Sequence, residues 1–215
     1  MQGSEGFEEF MALIEIPNTY NSGTAASPGH GRFAIIGEPI VAVDLVNTVA
    51  APGSSADDLL SADHGAEAWW RIQRARVPPG ELPEARALRR LRSALRDMIE
   101  ALLDDRPVPR ASVSELNFFM RSAPASTRLA LTAAGLRAET HWHQEFGGNP
   151  RLAFIAMQAA AFLSDPSQVR RLRRCANPAC SMIFIAVNPR RSWCAPGVCG
   201  NRVRVARHYR RADRA

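Results

Sequence analysis

All four cysteines of this 215-residue chain, Cys175, Cys180, Cys194 and Cys199, lie near its C-terminal end in the arrangement C-x4-C, thirteen residues, C-x4-C. A tetrahedral Zn2+ with Zn–S bonds of about 2.3 Å needs four sulfurs on one small sphere, and short loops supply them two at a time. Pro178 in the first loop and Pro196-Gly197 in the second let so short a chain turn tightly. The pattern predicts a four-thiolate site holding one metal ion per chain. Zinc is expected before iron, because thiolates surrounded only by turns typically hold zinc, although iron accepts the same ligands. Two disulfides are the competing use of four cysteines. The first ten residues carry glutamates where an export signal needs positive charge, and no apolar run reaches the roughly eighteen residues of a membrane span. A cytoplasmic protein with no membrane partner is therefore expected, and in that compartment clustered cysteines serve as metal ligands.

The charge is unevenly distributed. Residues 165–215 hold twelve arginines against two acids, whereas residues 1–164 hold fifteen arginines against nineteen acids. Four thiolates on one Zn2+ subtract only two charges, so the tail stays basic enough to attract a polyanion. The segment Asn201 to Arg214 contains no Pro or Gly, and Val203, Ala206 and Tyr209 recur at helical spacing, which predicts a helix. On it Arg204, Arg207, Arg211 and Arg214 form a stripe, with Arg202 and Arg210 beside it. Arg190 and Arg191 lie in the turn between the cysteine pairs. These eight arginines are the candidate nucleic-acid contacts, because a guanidinium makes two parallel charge-assisted hydrogen bonds to a phosphate. A solvated basic tail is the plainer alternative. Asn201 is expected to cap the helix and Gly200 to permit a tight exit from the knuckle.

The run Cys199-Gly200-Asn201-Arg202, shortly after the Trp193-Cys194 pair, resembles the signature of the CGNR zinc finger. Val43-Asp44-Leu45-Val46-Asn47-Thr48, followed by a helical segment containing Trp69-Trp70, resembles the start of the ABATE domain that bacterial proteins with this finger commonly carry. The resemblance runs from about residue 33 onward. It implies a bacterial transcription regulator, often labelled stress-induced, with the finger as its DNA-binding part. In that family an Asp and a Ser tend to follow the Phe after the second cysteine. Here Phe184 is followed by Ile185-Ala186-Val187-Asn188, so no polar role is expected of that loop.

The expected fold class is α+β, a mostly helical N-terminal domain with a small C-terminal four-cysteine zinc module. Residues 1–31 read as a flexible leader, 32–166 as the ABATE-like domain and 167–215 as the finger with its basic helix. The stretch before Gly37 reads as a strand, whereas the apolar run about Asp44 does not declare its period. Helices are expected from Asp63 through Ile72, ended before Pro78-Pro79-Gly80, and from Pro83 through Leu102. On the second, Leu88, Leu91, Leu95, Met98 and Ile99 form a buried stripe, and Arg86, Arg89, Arg90, Arg92 and Arg96 a solvated face among acids. Ser112 and Glu115 have the spacing of a capping box. Alternation about Gly135 predicts a hairpin, with His141 and His143 on one side of a strand but no third metal ligand beside them. Asn149-Pro150 starts a further helix, and a short basic helix from Ser167 through Leu172 is expected to lead into Cys175.

Asp44, Asn47 and Thr48 interrupt an apolar stretch, where unpaired polar groups are costly, and form a candidate ligand-binding or structural polar site. No phosphate-cradling glycine loop, nucleophile elbow or metal-protease helix is present, and a four-cysteine zinc has no open position, so no catalytic residues are expected. The reading is a DNA-binding transcription regulator. A zinc-stabilised module that binds protein or RNA without reading DNA sequence is the alternative. A small-molecule effector and a homodimer are compatible with either, and the sequence specifies neither. Loss of any one cysteine is expected to unfold the tail alone.

Overall fold

The computed structural model describes residue 38 and residues 40–49, 58–61 and 63–212, with side chains as far as Ala206 in the last helix. The expected leader, the expected strand before Gly37, and Arg214 lie outside the described residues.

The ambiguous apolar run is a helix. All six residues of α1 (Val41–Val46) are buried, because α1 is enclosed by three other elements of the domain. The first is α3 (Ala85–Leu103), whose leucine spacing turns Leu88, Leu91, Leu95 and Ile99 to the interior. The second is α5 (Pro150–Ser164), started where Asn149 Oδ1 accepts from the Arg151 amide at 3.0 Å. The third is the short strand β4 (Ile183–Ile185). Helix α2 (Asp63–Gln73) adds Trp69 and Trp70, both buried and set edge to face at 4.8 Å. Helix α4 (Arg110–Ser122) packs on α3 and α5.

Strands β1 (Ala125–Thr132) and β2 (Gly135–Trp142) form an antiparallel hairpin in which Thr132 faces Gly135. Gly135 takes φ 111°, a conformation that favours glycine. The hairpin stands away from the body, with Leu131 83% exposed, and returns to the core through Trp142 against Phe154. His141 and His143 lie together as expected, and His143 bonds Ser126 and Glu145.

Three expectations are corrected. The box at Ser112 does not form: α4 has its N-cap three residues earlier, at Pro109, and Ser112 Oγ instead donates to Asp97 across the helix pair, while Glu115 pairs with Arg90. The basic helix leading to Cys175 is a single turn, α6 (Pro166–Val169), and Leu172 belongs to strand β3 (Leu172–Arg174). A tertiary partner overrides the local helical preference there, because β3 pairs antiparallel with β4 (Ile183–Ile185). The arginines of α3 are not a uniformly solvated face. Arg92 is buried and holds Asp58 through two bonds of 2.5 and 2.6 Å while also donating to Thr48 Oγ1. Arg89 donates to the Leu60 carbonyl at 2.7 Å and Arg96 to that of Val49 at 2.9 Å. They satisfy carbonyls of the chain around α1, and Arg86 remains exposed.

Strand β4 is the wall between two cores. Its side chains alternate, so Ile183 and Ile185 join the core of the helical domain while Phe184 packs with the cysteines. The chain ends its described part in α7 (Asn201–Ala212), entered from a wide helical turn over Pro196–Gly200.

Candidate metal centre and basic helix

Strand pairing and the two knuckles bring the cysteines together. The Cys175 amide donates to Met182 O at 2.9 Å, continuing the β3–β4 ladder past its end, and Asn177 O receives the Cys180 amide at 2.9 Å to close the first knuckle. In the second, the Val198 and Cys199 amides both donate to Ala195 O. The four sulfurs lie within 4.8 Å of one another, with 3.8 Å from Cys180 to Cys194 and 3.6 Å from Cys194 to Cys199. A tetrahedron with Zn–S bonds of about 2.3 Å has edges of about 3.8 Å, so the spacing fits one zinc ion. It does not fit disulfides, which need sulfurs about 2.05 Å apart, and all four cysteines are free.

The hydrogen bond between the Cys180 and Cys194 sulfurs pulls the Cys180 thiol down to about 5 and, together with burial, pushes that of Cys194 up. Burial also raises Cys199. A divalent ion would hold all four as thiolates. Asn177, buried at 5% exposure, accepts from the Ala179 amide at 3.1 Å and braces the first knuckle. Sequence reading missed this knuckle-bracing residue, although an Asn two residues past the first cysteine of a tight knuckle is the available signal.

Trp193 covers the second knuckle. A Cβ placed on Gly200 would sit 3.3 Å from the indole Cδ1, so Gly200 serves close approach to that ring rather than a left-handed turn. Arg191 lies inward as well. Its guanidinium is 4.5 Å from the centre of the Phe184 ring, donates to the carbonyls of Ile185, Trp193 and Cys194, and lies 3.6 Å from Glu38. This corrects its placement among the phosphate contacts, because its donors already satisfy the module's own carbonyls.

The polar residues about α1 hold the finger to the helical domain. Asn47 Nδ2 donates to Ile183 O at 2.8 Å and Asn47 Oδ1 accepts from Ile183 N at 2.9 Å, while Glu38 Oε2 accepts from Ile185 N at 2.7 Å. The two side chains thus take the place of a third strand along the free edge of β4. Burial raises the Glu38 carboxyl to about 7, although the Ile185 amide and Arg191 oppose it. Burial likewise raises the carboxyl of Asp44, against Arg76 at 2.5 Å and Gln73 at 3.3 Å. Thr48 Oγ1 donates to Leu45 O at 2.7 Å. Each of the three residues singled out near α1 therefore has a partner within the chain.

The remaining arginines divide by accessibility. Arg190, Arg202 and Arg204 are exposed, and Arg204 donates to Asn201 Oδ1. Arg207, Arg210 and Arg211 lie on α7, where the backbone alone is described. Asn201 has helical φ −64° and ψ −47°, so it continues the preceding turn and does not cap α7. Arg173 and Arg174 on β3 are exposed too, and sequence reading did not single them out because a strand was not expected there.

No curated protein matches the chain. The profile of the CGNR zinc finger matches residues 171–212. That of the ABATE family, described as "putative stress-induced transcription regulator", matches residues 41–166. The chain belongs to the ABATE family and carries a CGNR zinc finger.

Proposed function

We propose that this protein is a DNA-binding transcription regulator whose zinc module presents α7 to the duplex. The observation that carries the reading is the charge and exposure of the segment that follows the metal. Residues 196–212 contain no acid, and Arg202 and Arg204 project into solvent directly after the ligand Cys199. A helix rooted in a metal site presents its guanidinium groups with little ordering left to do on binding, which favours phosphate contact. The helical domain, whose 14 arginines and 14 acids over residues 41–164 balance, lacks the basic excess of the tail and is the sensing or assembly part. We assign no catalytic role to either part.

The test is binding of random-sequence and selected duplexes by the zinc-loaded chain across a range of salt. Contact with Z phosphates gives a fall of log K with log salt of slope about −0.9Z. Regulation further requires that a selected duplex be preferred over random DNA by about a thousand-fold or more. Failure to bind any duplex at low salt refutes the DNA reading.

A further inference from the structure

Two of the four residues that name the finger are occupied by its architecture, and two are not. Cys199 is a metal ligand and Gly200 makes room for the Trp193 ring. Asn201 and Arg202 are exposed at the first turn of α7. Asn201 caps no backbone amide, and its carboxamide oxygen is held by Arg204. Beside them the surface is apolar where phosphate attraction alone asks for nothing apolar. Val205 is 53% exposed and Val198 42%. Residues three and four apart adjoin on a helix surface, so Val205 touches the patch of both Asn201 and Arg202. Helix α7 packs chiefly on the turn Pro196–Gly200, and exposed side chains occur at 201, 202, 204, 205 and 206. A helix of about 10–12 Å diameter, exposed at five of the six positions whose side chains are described, matches the major groove, about 12 Å wide.

The residue types match base edges. A carboxamide pairs with the N6 and N7 edge of adenine, a guanidinium with O6 and N7 of guanine, and an aliphatic group with the thymine methyl. We propose that the first turn of α7 reads DNA sequence in the major groove, with Asn201, Arg202 and Val205 at base edges and Arg204 positioning the Asn201 carboxamide. The inference rests on the DNA-binding reading above and adds which face of the helix carries specificity.

The experiment is selection of bound duplexes from a random library by the zinc-loaded full chain, repeated with Asn201→Ala, Arg202→Ala and Val205→Ser. All three positions are exposed, and zinc content and thermal melting confirm that each variant is folded. Asn201→Asp serves as a second variant at its position, keeping the size and removing the donor. Each substitution should relax preference at a single base pair, with a loss of roughly ten-fold or more on the selected duplex. The neutral substitutions Asn201→Ala and Val205→Ser should leave affinity for random duplex and its salt slope unchanged. Equal losses on selected and random duplexes, or an unaltered motif in all variants, would overturn the assignment. A wild-type chain that binds duplex with steep salt dependence but selects no motif also overturns it and leaves the DNA-binding reading intact. A wild-type chain that binds no duplex removes both.

Discussion

The Asn47 carboxamide bonds both backbone groups of Ile183, at 2.8 and 2.9 Å, across a separation of 136 residues. Together with Glu38 on the Ile185 amide, it makes the finger's strand part of the helical domain's wall. The zinc module is therefore seated on the domain rather than hung from a linker, and its thermodynamics should be those of the whole chain.

Asn47→Ala should destabilise the protein by about 2–4 kcal/mol, because it leaves a buried N–H and a buried C=O without partners. Asn47→Asp should also destabilise, since a carboxylate cannot donate to the Ile183 carbonyl. Denaturant unfolding measures both. Wild-type stability in the alanine variant would mean that the pairing contributes nothing.

The seating also changes what metal loss does. Cys175→Ser, Cys180→Ser, Cys194→Ser or Cys199→Ser should each abolish stoichiometric zinc, measured as about one ion per chain in the wild type. Contrary to the expectation that the tail unfolds alone, each should also lower the melting temperature of the helical domain, because Ile183 and Ile185 lie in its core. A helical domain that melts at the wild-type temperature after zinc removal would contradict this coupling.

Stability should respond to pH through Glu38, whose carboxyl lies near 7 in the fold against an ordinary value of 4.5. Between those values the folded chain keeps a proton that the unfolded chain releases, so this contribution is complete below pH 4.5 and is lost as pH rises through 7. The lost term is on the order of 3 kcal/mol. Asp44 is shifted in the same direction. Glu38→Gln keeps an acceptor for the Ile185 amide and removes the titration. Its stability relative to wild type should rise from pH 5 to pH 8, and parallel stability curves would count against the assignment.

The cysteine spacing, the leucine stripe of α3 and the hairpin about Gly135 were legible in the sequence because each is a local pattern with its own period. The strand at Leu172–Arg174 was not, since its three residues take their conformation from partners nine to thirteen residues on. The α3 arginines misled for a related reason. Interspersed acids look like salt-bridge partners, but Arg89 and Arg96 reach backbone carbonyls that only the fold brings near. Asn47 stood out as a polar interruption, yet its partner is a strand far along the chain. At the metal site the ligands were readable from spacing, whereas the inward turn of Arg191 depends on Phe184 and Glu38 lying beneath it.

Arginine substitutions should therefore fall into separate groups. Arg92→Ala should cost about 1.5–3 kcal/mol of stability by removing the charged hydrogen bonds to Asp58, whose carboxylate stays partly in water. Arg191→Ala should loosen the zinc module, seen as faster zinc loss to a chelator. Arg86→Ala, at an exposed position, should change stability by less than about 0.5 kcal/mol. Equal effects from Arg92 and Arg86 would contradict the burial difference between them.

The most direct measurement of the central claim compares the salt dependence of duplex binding by the zinc-loaded wild type with that of Arg204→Ala and Arg86→Ala. The account predicts a steep fall of affinity with salt for the wild type, a slope smaller by roughly one unit for Arg204→Ala, and an unchanged slope for Arg86→Ala. Equal changes from the two substitutions, or a wild-type affinity indifferent to salt, would contradict a DNA-binding surface built on the zinc-anchored helix.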